Sequence, residues 1–265
     1  MTVPFENDTG NIVRKLARKS LKSEKRRNLM VVIAVALASC LICFSIVMAL
    51  STRQIEKNHV EDTYEAVYTR ITEEDVSTLK GLDDFSRVGE YYMLAVEPAE
   101  QGYNASYIYC DEETMYIARD QMKLLEGRLP QKEDEVVVSR YFLSNYGADA
   151  GIGEKVMLSS ESFHGEYTVT GIMEGYKEKE VNGSSILLSK EALKGWSGYD
   201  PADYRAYVHF KNEQQMDETE LTARSREIAK EYQLEMPIMN LSYMKFYKQP
   251  VNVSMLALVA GIAVL

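Results

Sequence analysis

Residues 29–50 read LMVVIAVALASCLICFSIVMAL, an uncharged run with no glycine and no proline. As a helix, Leu29 to Leu50 would be roughly 33 Å long at about 1.5 Å per residue, enough to cross a hydrocarbon core of about 30 Å. Charge divides around this run. Residues 1–28 hold eight Lys or Arg against three acids, a net of +5; the whole chain carries −10, which leaves −15 for residues 51–265. Cations at the end of a span resist translocation, so Lys25, Arg26 and Arg27 are expected to orient it with residues 1–28 in the cytoplasm and residue 51 onward outside.

Two processing sites are imitated within the run. Ala36-Leu37-Ala38 has the form of a signal-peptidase site, and Leu37-Ala38-Ser39-Cys40 that of a lipoprotein box. Against both stand the length of the preceding polar region and the apolar continuation from Leu41 to Leu50. The expectation is therefore a retained anchor, transmembrane helix 1 over 29–50.

In the flank, Ile12, Val13, Leu16, Ala17, Ser20 and Leu21 recur on one helical face, and Arg14, Lys15, Arg18, Lys19 and Lys22 fill the other. Such a helix suits the inner leaflet, with its cations near anionic headgroups. No aromatic residues interleave with the basic run, and a span follows at once, so no nucleic-acid partner is expected. Cys40 and Cys43 form a C-x-x-C, but inside the bilayer they read as small apolar residues. Cys110 is the one cysteine beyond the span, so the outer part has no intramolecular disulfide and relies on its core.

Beyond the span the pattern alternates short strands and helices. Strands are predicted over Thr63–Ile71, Phe85–Val96, Ala105–Asp111, Glu135–Val138, Lys155–Ser159, Glu166–Met173, Ser185–Leu188, Tyr204–Phe210 and Met236–Leu241. Thr72-Glu73-Glu74-Asp75 opens a helix ending near Gly81, and Ser139 caps another through Tyr146 with Gly147 as its stop. Asp217 with Glu220 opens a third, with Leu221, Ser225, Ile228 and Tyr232 along one face. The fold class is an α+β extracytoplasmic domain over 51–248, flanked by transmembrane helices. Tyr243, Phe246, Tyr247 and Lys248 then precede Pro250 and an apolar run, as at a membrane interface. Residues 249–265 are too few to span and are expected to be the start of a truncated transmembrane helix 2.

One ordered set of short motifs stands out: Glu126-Gly127-Arg128-Leu129-Pro130, then Asp134-Glu135-Val136-Val137-Val138-Ser139, then Gly153-Glu154-Lys155-Val156, then Tyr167-Thr168-Val169-Thr170-Gly171-Ile172. With the Arg26-Arg27-Asn28 junction into the span, this resembles the permease subunits of MacB/FtsX-like ABC transporters and the ectodomain signature of that family, here with an inner subdomain of about 126–195. The motif residues read as structural. Gly127 and Pro130 supply turn geometry, Gly153 marks a second turn, Glu135 leads into a buried strand, and Gly171 allows a bend or a close backbone approach. Arg128 is expected to pair with Glu135 or another ectodomain carboxylate.

Residue chemistry points away from an enzyme. There is no phosphate loop, no H-E-x-x-H and no G-x-S-x-G, and His59, His164 and His209 are scattered without ligand spacing. Glu112-Glu113, Glu133-Asp134-Glu135 and Asp217-Glu218 lack a calcium-loop pattern and read as solvated surface, so no cofactor and no metal is expected. The sequons at Asn104, Asn182, Asn240 and Asn252 carry no weight. The resemblance implies a partner cytoplasmic ABC ATPase, a dimeric or pseudo-dimeric permease in the bacterial cell membrane, and mechanical work on amphipathic molecules or peptides. Two other classes share the outline: a membrane-tethered sensor or binding module, and an FtsX-type regulator of cell-wall hydrolases.

Overall fold

In the computed structural model successive side chains of the central strands turn to opposite faces of one sheet, and the two cores they fill build the domain. The structure describes residues 9–23, 25–61, 63–98, 104–119, 121–146, 150–175 and 178–248. Contacts divide the chain into a helical unit up to Ile55 and a folded unit over Glu56–Gln249.

In the helical unit, α1 spans Thr9–Ser23, with Ile12, Val13 and Leu16 exposed on one face. Helix α2 spans Lys25–Val60 and carries Lys25, Arg26 and Arg27, all exposed, in its first turn. It is the one described helix long and apolar enough to cross a membrane. The hydroxyls of Ser39 and Ser45 donate to the carbonyls of Val35 and Leu41 at 2.9 and 2.8 Å, which satisfies them without water. The helix does not stop at Leu50, where the sequence reading began the ectodomain. Residues 51–60 contain no breaker, Thr52 bonds back to Met48, and Lys57 pairs with Glu61 at 3.4 Å one turn on.

The folded unit continues as β1 (Ala66–Ile71), α3 (Glu73–Lys80), β2 (Phe85–Pro98), β3 (Asn104–Cys110), α4 (Glu112–Ile117), β4 (Met122–Gly127), β5 (Glu135–Ser139) and α5 (Arg140–Tyr146). Then come β6 (Lys155–Ser159), β7 (His164–Gly175), α6 (Glu178–Val181), β8 (Gly183–Leu188), α7 (Lys190–Gly195), β9 (Tyr204–Phe210), α8 (Glu218–Glu231), β10 (Ile238–Met239) and α9 (Leu241–Tyr243). Among the described residues one sheet runs β10-β1-β9-β2-β3-β8-β5-β7-β4, with β6 paired to β7. Most neighbours are antiparallel; β3 with β8 and β5 with β7 are parallel.

Both faces of this sheet are buried. Tyr204, Ala206, Val208 and Phe210 of β9 face one core while Tyr207 faces the other; Val136 and Val138 of β5 oppose Val137 in the same way, as does Leu187 between Ile186 and Leu188. This explains the continuous apolar run of β5, fully buried throughout. The larger core receives Val76 and Leu79 of α3, Phe142 of α5, Leu193 of α7, and Leu221, Ile228 and Ala229 of α8. Among the described residues α4 is the one helix that contributes to the smaller core, through Met115 and Ile117.

Local signals placed three helices where expected. Thr72 and Asp75 form the capping box of α3, Asp217 and Glu220 that of α8, and the Ser139 hydroxyl accepts from the Phe142 N–H at 3.0 Å to start α5. Gly147 lies outside the described residues. Other expectations are corrected. Met236–Leu241 is a two-residue strand, because the Asn240 side chain accepts from the Ser242 and Tyr243 N–H groups and starts α9 there. The Thr63–Ile71 strand starts only at Ala66, since Thr63 and Tyr64 bond to Val60 and Ile117 instead. Asp111 ends no strand; it caps α4 by accepting from Thr114 N–H at 2.8 Å. Tyr243, read as membrane-interface, is buried in the larger core. Glu126-Gly127 closes β4 before the turn begins.

Candidate functional site

Two constellations tie distant parts of the sequence together in the folded unit. The first is the fold of the ordered motifs. Gly127 and Gly171 are register partners on β4 and β7. Gly127 has φ +82°, and a Cβ there would lie 2.2 Å from the Thr170 carbonyl oxygen; a Cβ on Gly171 would lie 2.8 Å from that of Arg128. The two backbones pass at a distance that excludes side chains.

This approach sets the course of the turn that follows. Arg128 grips Glu135 in a fork, Nη2 to Oε1 at 2.7 Å and Nη1 to Oε2 at 2.8 Å. Pro130 has no N–H to give; the Gln131 N–H donates to the same carboxylate at 2.9 Å. The Thr170 hydroxyl reaches the carbonyls of Arg128 and Val136, each at 3.2 Å. Gly153, at φ +89°, donates to Val169 O at 2.7 Å and joins the second turn to β7.

The Arg128 hydrogen bonds, helped by the backbone N–H of Gln131, hold the Glu135 carboxyl at about 2, well below its ordinary 4.5. A depressed acid stabilises the fold above its unfolded value, and that contribution is lost as pH falls through the folded one. The full chain in nanodiscs should therefore lose stability between pH 4.5 and about 2. Glu135→Gln should start lower at neutral pH and fall less steeply over that window in denaturant titrations; an unchanged slope would refute the role.

The second constellation surrounds residues 60–65, the segment entering β1. Glu65 is fully buried, and its Oε1 lies 2.7 Å from His209 Nδ1 while its Oε2 accepts the Phe210 N–H at 2.7 Å. From the other end of the domain, Asn240 donates its N–H to Glu65 O at 2.8 Å and its amide to Tyr64 O at 2.9 Å. Arg119 donates to the Glu61 carbonyl, the Tyr64 N–H donates to Ile117 O at 3.0 Å, and the Tyr64 ring sits edge-on against Tyr207 at 4.7 Å. The segment is thus clamped by the end of α4 and Arg119 after it, by β9, and by Asn240 at the start of α9.

Burial pushes the Glu65 carboxyl above its ordinary value. Burial works against a charged His209, but the hydrogen bond and charge of Glu65 outweigh it and hold the ring above 6.5. The two groups lie 2.7 Å apart and titrate as one coupled pair, which keeps in the fold a shared proton that the unfolded chain releases. Glu213 adds a negative charge to the same surroundings.

Half-buried Lys190 of α7 bridges Glu73 at 2.7 Å and Glu90 at 2.5 Å, while Lys194 meets Glu73 at 3.0 Å and Lys80 meets Asp111 at 3.0 Å. This network joins α3, β2 and α7. No group of three or more metal-ligating side chains comes together among the described residues. Cys110 is buried, and burial drives its thiol upward, which favours the inert protonated form.

The motif residues are legible in the sequence, whereas the roles of Glu65 and Asn240 and the placement of His209 are not. A carboxylate within the alternation of Thr63–Ile71 was the available signal. Its partner is 144 positions away, so no local pattern connects them.

Among curated proteins, none matches the chain. Of solved structures, it is similar to the extracellular domain of the noncanonic ABC-type transporter YknZ from Gram-positive bacteria, at 16% identity and TM-score 0.47, covering 67% of this chain and 100% of that one. It is also similar to the periplasmic region of MacB from Actinobacillus actinomycetemcomitans, at 11% identity and TM-score 0.49, covering 70% and 92%. Residues 29–226, well over half of the chain, match the family described as the MacB-like periplasmic core domain. The match over three quarters of the chain makes the assignment: the chain belongs to the MacB-like periplasmic core domain family of ABC transporter permeases.

Proposed function

We propose that this chain is the permease subunit of a MacB/FtsX-like ABC transporter that couples ATP hydrolysis by a separate cytoplasmic ATPase to motion of its extracytoplasmic domain. The cargo class is export or extraction of amphipathic molecules or peptides. In this reading residues 1–28 lie on the cytoplasmic face, 29–50 span the membrane, 51–248 form the outer domain with an inner subdomain of about 126–195, and 249–265 begin the return into the membrane. The working assembly is a dimer or pseudo-dimer. The subunit itself catalyses nothing.

The observation that carries the reading is the continuity of α2. It runs unbroken from its cationic first turn through the apolar segment to Val60, and the residues that follow are held on three sides by Ile117 and Arg119, His209, and Asn240. A helix is stiff along its axis, so a displacement applied at its cytoplasmic end would arrive at β1 rather than be absorbed in a loop.

Orientation is tested by impermeant maleimide labelling of intact cells. Cysteine placed at Ser162 should react in whole cells, and cysteine at Thr9 only after permeabilisation; the reverse pattern would overturn the topology. Coupling is tested by spin labels at Ser162 of two subunits co-expressed with the ATPase. Vanadate trapping should shift the measured distance, and no shift would refute transmission. A histidine kinase or methyl-accepting helix encoded beyond Leu265, in place of further spans and an adjacent ATPase, would move the chain to the sensor class.

A further inference from the structure

Among the described residues the smaller core is roofed by a single short helix, α4, which leaves an open flank. Between α4 and the turn after β4 lies a cleft of roughly 670 Å³. Its floor is Met115, Leu124 and Leu129; the two leucines pack against the smaller core yet remain partly exposed to the cleft. Tyr116, 41% exposed, stands at the rim.

The lining is unusual in charge. Arg119, Lys123 and Arg128 face Glu112 alone, in a part of the chain whose net charge is −15. Arg128 is engaged with Glu135 and Arg119 with the Glu61 carbonyl. Lys123 is exposed and has no partner among the described residues.

The cleft also borders a free backbone edge. Among the described residues β4 ends the strand order and pairs with β7 alone, so past Met122, whose N–H bonds the Ala118 carbonyl, its other side carries no strand partner. A lysine and a register shift between Leu124 and Glu126 protect that edge from indiscriminate strand addition. An incoming segment carrying an acid would turn the same lysine from deterrent into anchor. A small anion would leave the apolar floor uncovered, and a basic segment would meet three cations.

We infer that this cleft docks an acidic, amphipathic peptide segment of a partner protein, laid along β4 with apolar side chains on Leu124 and Leu129 and a carboxylate at Lys123. The inference uses the folded unit alone and holds whichever way the chain crosses the membrane. The test is a random 12-residue display library panned on the full chain in phosphatidylcholine nanodiscs, with counter-selection on Lys123→Glu.

Enriched peptides should combine Asp or Glu with aliphatic or aromatic residues. As synthetic peptides, they should bind at least about tenfold more weakly to Lys123→Glu by fluorescence anisotropy. Because Lys123 is exposed, the variant should melt with the wild type, which separates lost binding from lost folding. Peptides indifferent to Lys123→Glu, enrichment of basic peptides, or no enrichment would overturn the inference. Displacement of the peptides by phosphatidylglycerol vesicles as readily as by free peptide would assign the cleft to a lipid headgroup and overturn it too.

Discussion

Replacing His209 by alanine should destabilise the folded unit by about 3 kcal/mol, the order expected when one partner of a buried, hydrogen-bonded pair is removed. Glu65 would keep only the Phe210 N–H, with its carboxylate fully buried. Denaturant unfolding of the full chain, followed by tyrosine and tryptophan fluorescence, reads this directly. Glu65→Gln/His209→Ala should recover part of the loss, because it removes the stranded charge. A double variant no better than the single would show that packing, and not charge, holds the clamp.

The pair also predicts a pH dependence. His209 sits above its ordinary value, so its contribution is complete below about pH 6.5 and is lost as pH rises through the raised value. Glu65 is raised as well, but its contribution is complete only below about pH 4.5, so it shares the sign of the effect while the fall above pH 6.5 belongs to His209. Wild-type stability should therefore fall between neutral and mildly alkaline pH, and His209→Ala should flatten that fall. An identical slope in both would exclude the pair as its source.

The second large effect concerns the crossing of β4 and β7. Gly127→Ala should cost about 3 kcal/mol or more, because two penalties coincide. The left-handed backbone at φ +82° costs about 1–2 kcal/mol for any residue with a Cβ, and the new methyl would overlap Thr170 O and Gly171 Cα. Gly153→Ala is the internal control: its φ is +89°, but nothing lies within 4 Å of the added carbon, so only the smaller conformational cost should appear. Equal losses at the two sites, by thermal melts of both variants in nanodiscs, would mean that the close approach carries no energy. Gly127→Ala should also disturb the fork between Arg128 and Glu135, since the turn leaves from that residue.

Much of the architecture is legible in short windows. The Tyr204–Phe210 alternation gives a strand of those bounds, and the Thr72–Asp75 and Asp217–Glu220 pairs start helices because a cap is made by neighbours in sequence. The four-residue α6 and the six-residue α4 and α7 have no such periodicity to show, and they form because the sheet packs against them. The strand expected over Met236–Leu241 stops short at Asn240, whose side chain is committed to Tyr64 and to its own following turn.

The chain by itself determined the apolar helix, its cationic flank, the acidic α+β domain and the ordered glycine, arginine and proline motifs, since each depends on residues within reach of one another along the backbone. Only the tertiary structure decided that Gly127 meets Gly171, that Glu65 finds His209 and Asn240, and that three cations surround one cleft. Those meetings join positions 44, 144 and 175 apart, and strand pairing, which has no local code, brings them together.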